Sequence, residues 1–340
     1  MPVKWISIVS LIFTILTLAG CSSIVKDNLH YPNSFHLEIS GATDSELQEW
    51  HNLEAKELIL DKEQTLSYLW GDSTKITESY SPPTLTFKAF FKNAPYNVPS
   101  VRFHNYNADF RNKPQTSPQG LVVLLHSYGT SSTSLLYDST AFQVKGYQTA
   151  IVDLLGHGKN NSLPASFGPK DIEYLHLLIT HLQKDSDLPI FLYGKSYGAS
   201  IAAQYIEAYG NIDGFIAIAP MTHFTKAAVE LSNSINPFLK ILINDEWLGN
   251  EVEKTLNTSQ VSSEQISTPN ILRRLSDNSL PPTLLFTSST DKISNHEDVS
   301  KLADLNKITF IDVPDHKHVE MMIFDDTFDH YINDWLNSNF

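Results

Sequence analysis

The segment Gly194-Lys195-Ser196-Tyr197-Gly198 constrains the fold of this chain more than any other stretch. It follows an apolar run at 189–193 and precedes a small-residue, helix-like stretch at 199–209. A serine between two glycines, where a buried strand runs into a helix, is typical of a tight turn that exposes the serine oxygen at the carboxyl edge of a sheet. The N-terminus of the following helix favours negative charge there. We therefore interpret Ser196 as a nucleophile, with a packed Gly/Ser turn as the alternative.

Apolar runs alternate with amphipathic stretches on both sides of this segment. Strands are predicted at 121–125, 148–153, 189–193, 214–219, 283–287 and 307–313, of which 121–125 and 189–193 are expected to be buried. Helices are predicted at 134–145, 171–184, 199–209 and around Phe328 to Leu336. Strands that alternate with helices of this length predict βαβ units and an α/β fold with a mostly parallel sheet flanked by helices. The alternation of strands and helices is interrupted at 221–281. This interruption predicts a small helical cap, including the apolar stretch 235–243, inserted between late strands.

The N-terminal part of the chain gives weaker signals. Apolar spacing over 45–70 is broadly helical, with Thr43 or Asp44 as N-cap, and predicts one or two helices. Two alternating runs, 84–91 and 100–106, predict antiparallel strands at the edge of the sheet.

Length and charge limit the classes of function. A chain of 340 residues accommodates one large α/β domain with an appendage, or two modest domains. Its net charge of −14 argues against nucleic-acid binding, which needs clustered Lys and Arg, and against a polybasic patch for anionic lipid. The oligomeric state is not predicted by these features.

The first twenty residues have the features of a targeting segment. Lys4 supplies a positive charge, and residues 6–18 form an apolar stretch that is shorter than a typical transmembrane helix. The sequence Leu18-Ala19-Gly20-Cys21 resembles the lipobox of bacterial lipoproteins. The resemblance implies cleavage after residue 20, lipidation of Cys21, and a lipid-anchored place in the bacterial cell envelope, at the outer membrane. Cys21 is the only cysteine, so lipidation would leave no thiol for other chemistry. A short membrane anchor with an incidental cysteine is the alternative.

From about residue 84 to 340 the order of motifs resembles the α/β-hydrolase superfamily, in which an oxyanion turn, the nucleophile, an acid and a histidine follow one another along the chain. The resemblance implies an α/β-hydrolase fold. We accordingly divide the chain into a signal peptide (1–20), a tether with a helical extension (21–82) and a hydrolase domain (83–340).

The same resemblance assigns a base and an acid to the nucleophile. A serine hydroxyl needs an imidazole to take its proton, and the imidazole needs an orienting carboxylate. The superfamily carries its acid after the strand that corresponds to 283–287, which selects Asp291, with Glu297 and Asp298 in reserve. A loop of the form Pro-x-x-x-His selects His318 as base, with His316 as the alternative. A His-x-His metal site at these two histidines lacks an evident third ligand.

The oxyanion donors are expected to be the backbone N–H groups of Tyr197 and Tyr128. Tyr128 lies in His126-Ser127-Tyr128-Gly129, which resembles the His-Gly-x-Gly turn of the superfamily but has Ser127 where glycine is usual. A positive φ at that position would strain a serine. His126 is expected to hold the loop.

Two further polar residues near these motifs, Asp153 and Lys195, are not expected to take part in the chemistry. Asp153, in a D-x-x-G-x-G loop, is expected to be a scaffold residue, with a role as catalytic acid as the alternative. Lys195 is expected to be solvated at the flank of the site.

These features predict a serine hydrolase that cleaves small-molecule or lipid carboxylic esters, of carboxylesterase or lysophospholipase type, without a cofactor or a metal. Two alternatives stay open. One is a peptidase like the prolyl-oligopeptidase group, although the chain has no room for a propeller. The other is a non-catalytic surface lipoprotein that uses the fold for binding.

Overall fold

The computed structural model of the protein describes residues 22–32, 35–39, 43–60, 64–76, 87–91, 94–96, 117–184, 186–235, 243–275 and 279–340. In chain order the strands are β1 (Phe35–Ile39), β2 (Leu53–Ile59), β3 (Thr65–Gly71), β4 (Phe87–Phe91), β5 (Ala94–Tyr96), β6 (Gly120–Leu125), β7 (Tyr147–Val152), β8 (Ile190–Lys195), β9 (Gly214–Ile218), β10 (Thr283–Thr287) and β11 (Ile308–Asp312). The α-helices with assigned bounds are α1 (Asp44–Trp50), α2 (Leu136–Val144), α3 (Pro169–Gln183), α4 (Tyr197–Tyr209), α5 (Phe224–Ile235), α6 (Asp245–Thr258), α7 (Thr268–Leu275), α8 (His296–Ser300), α9 (His318–Met321) and α10 (Asp326–Asn339).

Eight of the described strands form one sheet in the order β11-β10-β9-β8-β6-β7-β3-β2. The strands from β6 to β11 run parallel, and β3 and β2 add an antiparallel edge. In the register, Leu125 at the end of β6 lies opposite Gly194 of β8, and Lys195 lies opposite Ile218 of β9. Because parallel strands end at the same edge, the segment with Ser196 leaves the sheet beside the turn that follows β6. The predicted α/β fold with a mostly parallel sheet is confirmed.

The central strands are apolar because helices cover both of their faces. In β6 every residue is buried, as a strand with two covered faces requires. One face packs against α3 and α4 and the other against α2 and α10, so two apolar layers sandwich the sheet. The stripe on α10 predicted from Phe328, Ile332 and Leu336 is buried in the second layer.

The prediction of helices over 45–70 is correct for α1 and wrong for the rest. Thr43 caps α1 with a full capping box to Glu46. Residues 53–59 and 65–71 are instead paired as β2 and β3. The charged residues of β2 favour a helix in isolation, but pairing with β3, which in turn pairs with β7, outweighs that local preference. The eight-stranded sheet therefore draws two strands from the region interpreted as an N-terminal extension.

The first of the two runs predicted as sheet-edge strands does not lie in that position. β4, within 84–91, pairs with β1 and β5 in a separate three-stranded antiparallel sheet. The second run, 100–106, lies outside the described residues. The edge of the main sheet is occupied by β2 instead.

Helices α5, α6 and α7 lie between β9 and β10, where the sequence predicts a helical cap. Most of the apolar stretch 235–243 lies outside the described residues. Residues 22–30 are also helical, and the Ser22 side chain is hydrogen-bonded to Glu251 of α6. Across the described residues, no helix has the length and apolar character needed to cross a bilayer.

Three buried histidines make the stability sensitive to acid. Burial lowers the pKa of His51 from 6.5 to about 4 and that of His157 to about 3, and it also lowers the pKa of His126. The unfolded chain therefore binds more protons than the folded chain below pH 6.5, and stability falls as the pH falls. Burial raises the pKa of Asp171 to about 6, which opposes this trend between pH 6 and 3.8.

We expect the free energy of unfolding to decrease between pH 6.5 and 4, since a pKa lowered as far as that of His51 corresponds to about 3 kcal/mol and Asp171 offsets only one of the three histidines. Urea unfolding at pH 7, 6, 5 and 4 measures this. His51→Gln should flatten the slope, because glutamine does not titrate. A stability that stays constant from pH 7 to 4 would contradict the prediction.

Candidate active site

Ser196 lies in a strained turn between β8 and α4. Its φ of 49° and ψ of −108° are unfavourable for a residue with a side chain. The turn is held because the Ser196 N–H donates to the Ile218 carbonyl at 2.9 Å and the Ser196 carbonyl accepts from Met221 N–H at 3.2 Å. These backbone bonds to the neighbouring β9 segment keep the serine at the N-cap of α4. Strain held in this way is a feature of functional turns.

The glycines of the segment are required by close backbone contacts. A Cβ on Gly198 would lie 2.2 Å from the Leu125 carbonyl oxygen, and one on Gly194 would lie 2.5 Å from the backbone of Ala199. The first turn of α4 therefore rests directly on the end of β6, and β8 lies against α4.

We expect Gly198→Ala to lower the free energy of unfolding by about 2–3 kcal/mol, because backbone atoms must move to admit the methyl group. The matched control is Gly249→Ala within α6, where a Cβ would meet a neighbour only at 3.4 Å. The control should be stabilised by about 0.5–1 kcal/mol, since alanine favours a helix over glycine. Urea denaturation compares the two. Equal stability of both variants would contradict the contact argument.

Three predicted residues, Ser196, His318 and Asp291, meet at the carboxyl edge of the sheet. The His318 Nδ1–H donates to Asp291 Oδ2 at 2.7 Å, and Ser196 Oγ lies 3.2 Å from His318 Nε2. An ionised carboxylate only accepts, so the Nδ1 proton leaves Nε2 free to accept from the serine hydroxyl. The arrangement is that of a Ser-His-Asp triad.

Asp291 is fixed by its own loop. Its side chain is fully buried, and Oδ1 accepts hydrogen bonds from the N–H groups of Ile293 at 2.8 Å and Ser294 at 3.0 Å. The second oxygen is thereby directed at His318. His318 begins α9, just after β11, and its side chain is 12% exposed, so substrate can reach the ring.

The alternative residues lie elsewhere. His316 Nε2 is 2.7 Å from Asp325, which caps α10, and its ring contacts Phe328. Glu297 and Asp298 lie on α8 and pair with Lys301 on the surface. Among the described residues, no group of three or more His, Cys, Asp or Glu could hold a metal ion.

The turn predicted to supply an oxyanion donor packs beside the nucleophile. The rings of Tyr128 and Tyr197 are 5.5 Å apart in an edge-to-face contact. Gly129 has a φ of 77°, whereas Ser127 is not among the described residues with positive φ, so serine in place of glycine causes no strain there. The Tyr128 hydroxyl donates to the Leu29 carbonyl at 2.8 Å, which ties the turn to helical residues 22–30.

Two polar residues behind this turn have structural partners. His126 is fully buried: Nδ1–H donates to the Ser127 carbonyl at 2.8 Å, and Nε2 accepts from Leu154 N–H at 3.0 Å. Asp153 accepts from the N–H groups of Ser132 at 2.6 Å and Lys159 at 3.0 Å. Both carboxylate oxygens of Asp153 thus hold loops, in keeping with its interpretation as a scaffold residue.

The prediction that Lys195 is solvated is wrong. Its side chain is 2% exposed, and Nζ lies 2.5 Å from Asp138 of α2 and donates to the Met322 carbonyl at 3.0 Å. β8 extends to Lys195 and both of its faces are covered, so the side chain has no route to solvent. No local pattern marks Asp138 as the partner of Lys195, because the helix also buries other polar side chains, among them Ser139 and Thr140.

Residues 116–270 match the family model Hydrolase_4, described as serine aminopeptidase, S33, over a little under half of the chain. No curated protein matches the sequence significantly. Among solved structures, the fold is similar to that of the Pyrococcus furiosus esterase Pf2001, with a TM-score of 0.55 and 18% identity over 88% of this chain and 96% of that one. It is also similar to the 2,6-dihydroxy-pseudo-oxynicotine hydrolase, with a TM-score of 0.54 and 13% identity over 84% and 68% of the two chains.

The predicted Cys21 lipidation site lies outside the described residues. The order of strands in the eight-stranded sheet and the similarity to these solved structures indicate the same fold. The chain has the α/β-hydrolase fold, and the geometry of its triad is the one by which serine hydrolases cleave acyl bonds.

Proposed function

We propose that the protein is a serine hydrolase of carboxylic esters, of carboxylesterase or lysophospholipase type, that works through an acyl-enzyme on Ser196. The observation that carries the proposal is the unbroken chain of contacts from Ser196 Oγ to His318 and from His318 to Asp291. In this arrangement His318 Nε2 takes the hydroxyl proton as the serine oxygen attacks the ester carbonyl. Asp291 stabilises the imidazolium that forms.

The developing oxyanion needs backbone donors, for which Tyr197 and Tyr128 are the candidates. Tyr197 is the first residue of α4, where N–H groups have no partner within the helix and the helix dipole favours negative charge. Tyr128 is placed beside it by the contact of Gly198 with the end of β6. Loss of one such donor costs about 10²–10³ in kcat in enzymes of this type.

His318 completes the cycle in three further proton transfers. The imidazolium gives its proton to the departing alcohol, which leaves an acyl group on Ser196 and a neutral ring. The same nitrogen then takes a proton from water, which attacks the acyl-enzyme and releases the acid. As the acid leaves, the imidazolium gives this proton to the Ser196 oxygen, and both residues return to their starting protonation states.

The turn that carries Tyr128 is packed among uncharged aromatic rings. Phe224 lies 5.1 Å from Tyr128 and 5.3 Å from Phe167, ring centre to ring centre. Phe224 and Phe167 are buried, so they support the turn and do not face a substrate. The choice of an ester substrate is supported by the structural neighbours instead. The esterase described for Pyrococcus furiosus has the same fold, which is in keeping with this choice.

A serine peptidase is the second candidate, supported by the description of the matched family as serine aminopeptidase. Hydrolysis of p-nitrophenyl acyl esters of two to sixteen carbons, compared with aminoacyl and prolyl p-nitroanilides, separates the two. We expect ester turnover to exceed amide turnover. Preferred cleavage of the anilides would select the peptidase, and no labelling of folded protein by a fluorophosphonate would select the non-catalytic binding protein.

Lipid anchoring through Cys21 belongs to the same proposal. It is supported by the Leu18-Ala19-Gly20-Cys21 sequence after an apolar stretch. We propose that the mature protein is held at the bacterial outer membrane by this lipid. Radioactive palmitate should enter the wild type and not Cys21→Ser, and equal incorporation in both would refute the proposal.

A further inference from the structure

Lys195 is a buried cation directly before the nucleophile, and it takes no part in the proton transfers proposed above. Its Nζ pairs with Asp138 of α2, whose carboxylate also accepts from the Tyr193 hydroxyl. The second contact of Nζ is the Met322 carbonyl at 3.0 Å. The side chain therefore joins β8, α2 and the segment around Met322.

Met322 is the C-cap of α9, the helix that begins with His318. One side chain thus connects the backbone beside Ser196 to the far end of the helix that carries the base. A positive charge at the C-terminus of a helix is also favourable, since the carbonyls there are partly negative. The contact fixes α9 relative to the end of β8 and so bears on the 3.2 Å separation of Ser196 Oγ and His318 Nε2.

A wholly buried ion pair contributes little net stability compared with apolar residues of similar size, because desolvation offsets the attraction. Packing alone therefore gives no reason for a lysine at this place. The directed bond from Nζ to the Met322 carbonyl does give one, since a methionine or leucine side chain could not make it.

We propose that Lys195 is a positioning residue, which ties the nucleophile's strand to α9 and holds His318 at hydrogen-bonding distance from Ser196. The proposal rests on the triad function proposed above. It assigns Asp138 the task of fixing Nζ so that the lysine points at Met322.

The test uses the double variant Lys195→Met/Asp138→Asn, because the single Lys195→Met would leave a buried carboxylate without its cation. The amide oxygen of the introduced asparagine can still accept from the Tyr193 hydroxyl. We expect kcat to fall about 10- to 100-fold with KM within about twofold, since small misplacement of a catalytic group has effects of this size. The matched control is Lys145→Met, which removes a largely buried lysine that pairs with Asp329 of α10. The control should keep kcat.

A second measurement does not depend on turnover. The Nδ1 proton of His318, hydrogen-bonded to Asp291, should give a downfield proton NMR signal, assigned by its absence in His318→Ala. We expect the signal to shift or broaden in the double variant and to stay in Lys145→Met. An unchanged signal and a kcat within twofold of the wild type in the folded double variant would overturn the positioning role. Failure of the wild type to cleave any ester would instead refute the proposed function, and the proton signal alone would then decide the role of Lys195.

Discussion

Replacement of Ser196 by alanine is expected to lower kcat on an acyl ester by a factor on the order of 10⁴–10⁶ while the protein stays folded. The serine oxygen is the atom that forms the acyl-enzyme, and the other triad members cannot replace it. Labelling by a fluorophosphonate should disappear in the same variant. Relief of the positive φ is not expected, because alanine at this position is strained as well.

The matched control is Ser200→Ala, one turn further along α4. The Ser200 hydroxyl donates to the Ile266 carbonyl and makes no triad contact among the described hydrogen bonds. This variant should lose stability of about 1 kcal/mol, as is usual for a lost buried hydrogen bond, and keep kcat. Retention of full ester turnover by folded Ser196→Ala would exclude Ser196 as the nucleophile.

The second large effect is expected at His318, and it distinguishes two histidines that are two residues apart. His318→Ala should lower kcat by a factor on the order of 10⁴–10⁶, because the serine then has no base. His316→Ala should keep kcat within a few-fold. It should lose about 1 kcal/mol of stability, because the ring no longer holds the Asp325 cap of α10.

Steady-state kinetics of both variants, with urea unfolding to establish that each is folded, measure this contrast. The reverse pattern, with activity lost in His316→Ala and kept in His318→Ala, would mean that the 3.2 Å contact to Ser196 is not the one used in the reaction.

The sequence was most informative where chemistry imposes an order along the chain. Ser196, Asp291 and His318 are 95 and 27 positions apart, yet each follows a strand of the parallel sheet, and parallel strands bring their carboxyl ends to one edge. That combination of a strict motif and a simple topology made the site predictable. The buried strands could also be located from the sequence, because a short continuous apolar run has few other possible structures.

The errors arose where the partner of a residue lies far away in the chain. β2 and β3 carry charged and apolar residues without a clear period, and their strand state depends on β7, about 80 positions later. Lys195, in β8, can be buried because Asp138 of α2 pairs with it. Neither partner can be recognised by local pattern, because the pairing is decided by tertiary packing.

The helix at residues 22–30 would limit the distance between the domain and a lipid attached at Cys21. The Ser22 side chain is hydrogen-bonded to Glu251, and the Leu29 carbonyl accepts from the Tyr128 hydroxyl. At about 1.5 Å of rise per helical residue, seven residues span only about 10 Å. If Cys21 carries the lipid proposed above, the site of attachment would be joined to the domain by a short helix packed on it and not by a flexible tether, so the lipid would hold the domain close to the bilayer surface.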